Sequence, residues 1–359
     1  PALGAGSIAL IPGGVTAAVS DSSYLYLSGQ QLQTSGPYKG LFAGNLTLLN
    51  LTNYTAGAPI SISDGTHTKM LLAGVPELGR RQRPPRVASD ALLDVRAVSK
   101  TYVSGSWPAR RRTVHAAQDV SLAVHPGETV GIVGESGSGK STVARCIARL
   151  IEPTSGDIFA DGRSVAKASG RALSPFRRRV QVVFQDPYRS LNPRQTAGAS
   201  IIEGPLNFGV PRAQAWARAE ELMRLVRLQP EALHRYPSEF SGGQRQRISI
   251  ARALACDPQV LIADEAVSAL DVSVQAQILD LLNEIQQRLA IGILFITHDL
   301  RVASQICDRV IVMQRGKIVE QGDIGDVFFS PQHAYTQALL AAAPGRGFSF
   351  GTPQQQVAA

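Results

Sequence analysis

Cysteine and long apolar runs are both scarce in this chain of 359 residues. Its three cysteines, Cys146, Cys256 and Cys307, lie far apart and lack the paired spacing of zinc or redox sites, which favours a reducing compartment. No apolar run approaches the roughly 20 residues that cross a bilayer, so a membrane role would need a partner chain. The opening residues lack a basic stretch before their apolar positions, and we expect no signal peptide.

Aromatic residues are also few, at 6% of the chain, while 44% of residues are hydrophobic and 18% charged, as in globular proteins. The net charge of +8 would suit nucleic acid. However, much of the basic excess lies in short clusters with few aromatic residues between them, at Arg80–Arg83, Arg110–Arg112 and Arg177–Arg179. Solvated surfaces or contacts with anionic lipid headgroups explain such clusters at least as well, so we expect no nucleic-acid partner.

The first 78 residues form a β-rich segment that is poor in charge and rich in Gly, Ser, Thr and Asn. Its apolar groups have the spacing of short strands and lie at Val15–Val19, Tyr24–Leu27, Leu46–Leu51, Ile60–Ile62 and Met70–Leu72. The segment weakly resembles one blade of a β-propeller, with residues 62–67 as the turn into the last strand. A lone blade lacks the neighbours that bury its faces, so three interpretations stay open: a small β-domain, a loosely folded extension, or a gene junction without selected function.

The sequence changes character after a basic, proline-containing stretch at residues 79–90, which predicts a linker. From about Leu92, apolar strands alternate with helical patterns. This alternation predicts an α/β fold with a mainly parallel sheet and helices on its faces.

A glycine-rich loop follows the strand-like run Thr129–Val133 and precedes the helical pattern Val143–Leu150. Its glycines allow backbone N–H groups to point at phosphate oxygens, and the helix N-terminus adds a favourable dipole. Lys140 is predicted to contact the β- and γ-phosphates of ATP, and Ser141 to ligate Mg²⁺. The predicted phosphate-binding residues are Gly134, Glu135, Ser136, Gly137, Ser138, Gly139, Lys140, Ser141 and Thr142.

Two carboxylates follow a second predicted strand, Val260–Ala263. Asp264 and Glu265 would lie at the carboxyl edge of the sheet, where ligands bind in open α/β folds. Asp264 is predicted to bind Mg²⁺, and Glu265 to act as general base toward the attacking water. Taken alone, such a pair could also be a helix cap and first-turn acid, but after a phosphate loop it indicates nucleotide hydrolysis.

The string Phe240-Ser241-Gly242-Gly243-Gln244-Arg245-Gln246-Arg247 precedes the helical pattern Ile248–Leu254. It resembles the signature motif of ABC ATPases, with Phe240 in place of the commoner leucine. A hydroxyl and glycine N–H groups at the start of a helix suit recognition of a γ-phosphate. The resemblance implies that Ser241, Gly242, Gly243 and Gln244 bind nucleotide.

Other marks of this family occur in the expected order, and their roles are those that the resemblance implies. Gln185, after the strand-like Val180–Phe184, resembles the Q-loop glutamine that senses Mg²⁺ and the transport partner. Ser268–Asp271 resembles the D-loop, with Asp271 at the dimer seam. His298, after the apolar strand Ile293–Ile296, resembles the switch histidine at the γ-phosphate, and Tyr102 the aromatic residue that stacks on adenine.

Three further stretches resemble the ATPases of oligopeptide/dipeptide importers of the peptide, nickel and glutathione type: Gln185–Pro193, Tyr236–Phe240 and His333–Leu340. The resemblance spans roughly residues 92–344. It implies an ABC-type P-loop NTPase with an antiparallel β-subdomain and a helical signature subdomain at about 193–255. The nucleotide-binding domain would occupy residues 91–329, followed by an extension and tail at 330–359. Some members of this importer family carry a cysteine cluster in the C-terminal extension. No cysteine follows Cys307 in this chain, so we expect no iron–sulfur cluster.

One phosphate loop and one signature motif require a second ATPase subunit, identical or related, to complete two sites. The resemblance implies an ATP- and Mg²⁺-dependent subunit that powers import of peptides or a similar small solute. Its partners would be a transmembrane permease and, indirectly, a solute-binding protein, at the cytoplasmic face of the plasma membrane. Two alternatives come from other classes: an ABC ATPase in nucleic-acid or translation work, and a non-catalytic β-rich binding module at the N-terminus.

Overall fold

The computed structural model describes residues 91–104, 112–186 and 190–342, together with the backbone of six short strands before residue 72. Several sequence features therefore lie outside the described residues: the turn at 64–67, the linker at 79–90, the basic residues at 80–83 and 110–111, the stretch 187–189 and the tail after 342. The chain divides into two units, and Arg80–Ala343 forms the larger one.

The six N-terminal strands pair two by two, all antiparallel. The pairs are β1 (Ile8–Leu10) with β4 (Thr47–Leu49), β2 (Thr16–Asp21) with β3 (Tyr24–Ser28), and β5 (Ile60–Ser63) with β6 (Thr68–Leu71). Strands β2 to β6 overlap the predicted apolar groups, whereas β1 was not predicted. This pairing leaves the three interpretations of the segment open.

A six-stranded sheet forms the centre of the larger unit. Its order is β12 (Val180–Val183), β13 (Val260–Asp264), β14 (Gly292–Ile296), β9 (Thr129–Val133), β15 (Arg309–Gln314) and β16 (Lys317–Asp323). The first five strands are parallel, and β16 pairs antiparallel with β15. Strands β9, β13 and β14 are buried along their whole length, as expected for central strands covered on both faces. Their carboxyl ends meet at one edge.

A second, antiparallel sheet confirms the predicted β-subdomain. Its strands, in spatial order, are β11 (Arg163–Ser164), β10 (Ser155–Ala160), β7 (Leu93–Ser104) and β8 (Arg112–Val124).

Nine α-helices lie within the described residues, and each is too short or too polar to span a bilayer. They are α1 (Lys140–Ile147), α2 (Ser174–Arg179), α3 (Ala197–Asn207), α4 (Arg212–Leu225), α5 (Gly242–Leu254), α6 (Val272–Leu289), α7 (Leu300–Ile306), α8 (Ile324–Phe329) and α9 (Ala334–Ala342). Short 3₁₀ turns lie at Gly170–Leu173, Pro230–His234 and Pro237–Glu239.

Several helix boundaries differ from the sequence prediction: α5 begins at Gly242 rather than Ile248, and α1 ends at Ile147 rather than Leu150. Helix α1 begins at Lys140 rather than Val143, because the end of the glycine-rich loop already forms the first helical turn after Gly139. Helix α4 ends at Leu225, because Arg227 adopts a positive φ of 61° that stops the helix.

Two hydrophobic clusters form the core, one including the buried residues of α3 to α7 and the other those of α1 and the antiparallel sheet. The three cysteines are free and buried in this core. Burial raises the pKa of the Cys146 and Cys256 thiols to about 11. These thiols therefore pack as small apolar groups.

Candidate active site

The glycine-rich loop lies between the carboxyl end of β9 and the start of α1, as predicted. Gly139 ends the loop with a φ of 103°, and a Cβ atom there would lie 2.2 Å from the carbonyl oxygen of Ala116. A side chain at this position is excluded by both the backbone conformation and the close approach of β8. Glu135, Ser136 and Gly137 are exposed, so the loop opens to solvent where a phosphate chain would lie.

Lys140 is buried, with 4% of its surface exposed. Its Nζ donates to the carbonyl oxygens of Gly134 at 2.8 Å and Glu135 at 2.7 Å. Burial lowers the pKa of Lys140, and the nearby carboxylates of Glu265 and Asp264 oppose that shift. The Lys140 ammonium group is therefore held inside the loop by hydrogen bonds to two carbonyl oxygens. It can exchange these partners for an anion.

Ser141 and Asp264 meet although 123 positions separate them, and Ser141 Oγ donates to Asp264 Oδ1 at 2.9 Å. Asp264 is 6% exposed. Burial raises the pKa of its carboxyl group, and the Ser141 hydrogen bond acts in the opposite direction. A hydroxyl and a carboxylate are the hard oxygen donors that Mg²⁺ prefers, so the pair fits the predicted metal site.

Glu265 lies between two other predicted residues. Gln185 Nε2 donates to Glu265 Oε2 at 2.9 Å, and His298 Nδ1 lies 3.5 Å from Glu265 Oε1. The backbone of Glu265 has a φ of 49°, a conformation that L-residues rarely adopt, and its N–H donates to Ile296 O at 3.0 Å. The structure therefore brings Gln185, Glu265 and His298 together at the carboxyl edge of the sheet.

The signature segment lies at the N-terminus of α5. Ser241 Oγ accepts from Gln244 N at 3.3 Å, and Ser241 N donates to Gln244 Oε1 at 3.0 Å. This capping box leaves the N–H groups of Gly242 and Gly243 without intrahelical acceptors. A Cβ atom on Gly243 would lie 2.5 Å from Val274 Cγ1, so close packing on α6 requires a glycine there.

Two predicted residues lie at exposed positions. Asp271 precedes α6 without capping it through its side chain, and the next residue, Val272, is 82% exposed. Tyr102 is 42% exposed on β7, opposite Val114, and Lys100 Nζ lies 5.2 Å from its ring centroid. An exposed aromatic face on this strand remains available for stacking.

The structure adds two residues that sequence reasoning did not place in the site. Ser268 Oγ donates to Glu265 O at 2.9 Å, and Gln185 Nε2 lies 3.5 Å from Ser268 Oγ. The hydroxyl of Tyr335 lies 3.1 Å from Glu135 N. Ser268 was noted only as part of a D-loop string and Tyr335 only as part of an importer-like tail, and no local pattern distinguishes either residue.

Replacing Asp264 with Asn is expected to raise the Tm of the nucleotide-free protein while lowering ATP turnover. The raised pKa means that the folded state holds the Asp264 proton more tightly than the unfolded chain, so the ionised carboxylate opposes folding at neutral pH. The amide keeps an acceptor for Ser141 but loses the charge that a divalent cation needs. Thermal unfolding at several pH values measures this effect.

The stability advantage of Asp264→Asn should shrink as the pH falls through the pKa of Asp264, because the wild-type carboxyl is then neutral as well. Asp280→Asn, at an exposed position of α6, is the matched control and should change neither property. A Tm below that of the wild type at neutral pH would contradict this account.

Comparison with known sequences identifies close relatives. The profile of the ABC transporter family matches residues 117–268. The probable peptide ABC transporter ATP-binding protein y4tS of Sinorhizobium fredii is 53% identical over 259 residues, which cover 71% of this chain and 73% of that protein. A putative peptide import ATP-binding protein of Brucella ovis is 50% identical over 254 residues, 70% of this chain and 78% of that protein.

Solved structures show the same fold. The cbiO1 protein of Clostridium perfringens, part of the ABC transporter complex cbiONQ, superposes with a TM-score of 0.58 at 28% identity, covering 67% of this chain and 92% of that one. The cassette MJ0796, a dimer in a post-hydrolysis state with ADP and Pi, gives a TM-score of 0.55 at 31% identity, covering 65% and 98%. These similarities confirm the predicted fold class, and the chain belongs to the family of ABC transporter ATP-binding proteins.

Proposed function

We propose that this chain powers the import of peptides or a similar small solute through a separate transmembrane permease. As an ABC ATPase, it binds and hydrolyses ATP. The observation that carries the proposal is the position of Glu265, held by Gln185 and near His298 at the strand edge that also carries Asp264. The peptide cargo is inferred from relatives named as peptide import and peptide ABC transporter ATP-binding proteins.

In the proposed mechanism, the loop and Lys140 bind the phosphate chain. Lys140 exchanges its carbonyl partners, Gly134 O and Glu135 O, for β- and γ-phosphate oxygens. Exposed N–H groups of the loop and the start of α1 add further donors. Tyr102 stacks on the adenine ring. Ser141, Asp264 and Gln185 would hold Mg²⁺, which would supply positive charge to the phosphate chain.

Glu265 is then the general base. Its carboxylate accepts a proton from the water that attacks the γ-phosphate, and the side chains near it fix its orientation. Gln185 donates to one oxygen and His298 lies near the other, so the carboxylate is restrained on both sides. His298, whose side chain is 55% exposed, can also reach a γ-phosphate at the mouth of the site.

A second ATPase chain, identical or related, completes each site. The N–H groups of Gly242 and Gly243, at the start of α5, have no intrahelical acceptors and are suited to bind an anion. We infer that Ser241 to Gln244 contact the γ-phosphate held by the partner, with Asp271 at the seam. ATP would favour the closed dimer, and hydrolysis would remove the contacts that bridge its halves. The dimeric state of MJ0796 supports this proposal.

The segment after Gln185 offers a route from the site to a permease. Ser190 Oγ lies 2.7 Å from Ser249 Oγ on the signature helix, and Arg252 donates to the carbonyl of Ser190. A displacement of Ser190 would therefore act on α5. We propose that the helical subdomain binds the permease on the cytoplasmic face of the inner membrane. This subdomain comprises about residues 193–255 of a nucleotide-binding domain at 91–329.

Co-purification and uptake test the proposed function. The chain is expressed with candidate permease subunits, and ATP turnover and uptake of labelled dipeptides into vesicles are measured with and without a solute-binding protein. Permease-stimulated turnover and ATP-dependent uptake are expected, with uptake lost in the Glu265→Gln variant. Failure to associate with any permease, together with turnover stimulated by nucleic acid, would overturn the proposal in favour of a nucleic-acid or translation ATPase.

A further inference from the structure

The C-terminal end of the larger unit returns to the phosphate loop. The hydroxyl oxygen of Tyr335, at the start of α9, accepts a hydrogen bond from the backbone N–H of Glu135 at 3.1 Å. The two residues are 200 positions apart in the chain. The bond joins a segment outside the nucleotide motifs to the predicted phosphate loop.

The same peptide unit is held at both of its polar ends. The N–H of the peptide between Gly134 and Glu135 donates to Tyr335, while its carbonyl, Gly134 O, accepts from Lys140 Nζ at 2.8 Å. Rotation of this peptide would break both bonds. We propose that Tyr335 is a positioning residue for ATP binding, which fixes this peptide of the phosphate loop. This inference rests on the proposed function.

Tyr335 is itself held by a network within its own segment. The Glu320 carboxylate on β16 accepts from the backbone N–H groups of Gln332 at 2.8 Å and His333 at 3.1 Å. His333 Nδ1 then accepts from Tyr335 N at 3.1 Å. These hydrogen bonds hold the segment from which the Tyr335 hydroxyl reaches the phosphate loop. The Tyr335 ring packs against the larger hydrophobic cluster.

A second contact holds the same side of the loop. Gly316 N, in the turn between β15 and β16, donates to Ser138 O at 2.8 Å. The strand pair that carries Glu320 is thus also bonded to the loop. Together these contacts keep the loop in an open shape before nucleotide arrives, so that less conformational freedom is lost on binding.

The Tyr335→Phe variant removes only the hydroxyl and is expected to weaken ATP binding by about three- to tenfold, the effect of one net hydrogen bond. The rate of hydrolysis at saturating ATP should change by less than about twofold, because the hydrogen bonds described for Tyr335 reach Glu135 and His333 and none of the residues around Glu265. Affinity is measured by fluorescence titration with a labelled ATP analogue, and KM and kcat by steady-state turnover of the full chain.

Gln337→Ala is the matched control. Its side-chain amide donates to Pro331 O at 2.9 Å within the same segment but does not touch the phosphate loop. Wild-type affinity in this control with weaker binding in Tyr335→Phe supports the proposal. Equal affinity in Tyr335→Phe and wild type, or an equal loss in both variants, overturns it. Absence of ATP binding by the wild-type chain would instead contradict the proposed function.

Discussion

Replacement of Glu265 by Gln is expected to lower ATP turnover by about 10²–10⁴-fold while leaving ATP binding intact, the range that general-base catalysis contributes. The amide cannot accept a proton from water, yet its oxygen can still accept from Gln185 at the position of Glu265 Oε2. The site should therefore keep its shape and lose only its base. Single-turnover hydrolysis with labelled ATP measures the chemical step directly.

The same variant should also accumulate as an ATP-bound dimer, because the γ-phosphate that bridges the two chains is no longer removed. Size-exclusion chromatography with ATP and Mg²⁺ tests this expectation. Glu284→Gln is a suitable control, since Glu284 pairs with Arg227 and Arg288 away from the site. Turnover of Glu265→Gln within a few fold of wild type would refute the assignment of the base.

Loss of the Lys140 side chain is expected to weaken nucleotide binding and turnover together, each by at least about 10²-fold. Two charge-assisted hydrogen bonds to phosphate oxygens would be lost, and each is worth more than a neutral one. The Lys140→Ala variant also leaves the carbonyls of Gly134 and Glu135 without the donor that they share in the nucleotide-free protein. Isothermal titration with ATP measures the affinity.

This variant is distinguished from Glu265→Gln by its failure to bind ATP and to form the ATP-bound dimer. Lys167→Ala, which removes an exposed lysine beyond β11, provides the control for loss of one positive charge. ATP binding by Lys140→Ala at wild-type affinity would show that the loop holds phosphates without its lysine, and the site as described would be wrong.

The sequence predicted best those site residues that directly follow a predicted strand or lie together in one continuous motif. Lys140 and Ser141 follow the buried strand β9 and open a helix. Asp264 ends β13 and Glu265 follows it, with β14 between β13 and β9 in the same parallel sheet. Because the carboxyl ends of parallel strands share one edge, their proximity follows from the fold. The roles assigned to these residues stay predictions until the variants are measured.

Contacts that depend on tertiary packing could not be predicted in this way. The bond from Glu135 to Tyr335 joins a loop to a helix near the end of the described chain, and neither residue type signals the other. The positive φ of Glu265 likewise has no local sequence cue, since glycine or asparagine would be the usual choice. Tertiary packing determines both the Glu135–Tyr335 bond and the backbone conformation of Glu265. Local patterns in a single sequence do not reveal such packing.

The buried cysteines make this chain suitable for site-directed labelling. A thiol with a pKa of about 11 is ionised in only about one molecule in 10⁴ at neutral pH, and the thiolate is the form that reacts with maleimides. Cys146 and Cys256 can therefore be left in place. A cysteine introduced at the exposed position of Val272, next to Asp271, would carry a fluorophore or spin label that reports the approach of two chains in real time.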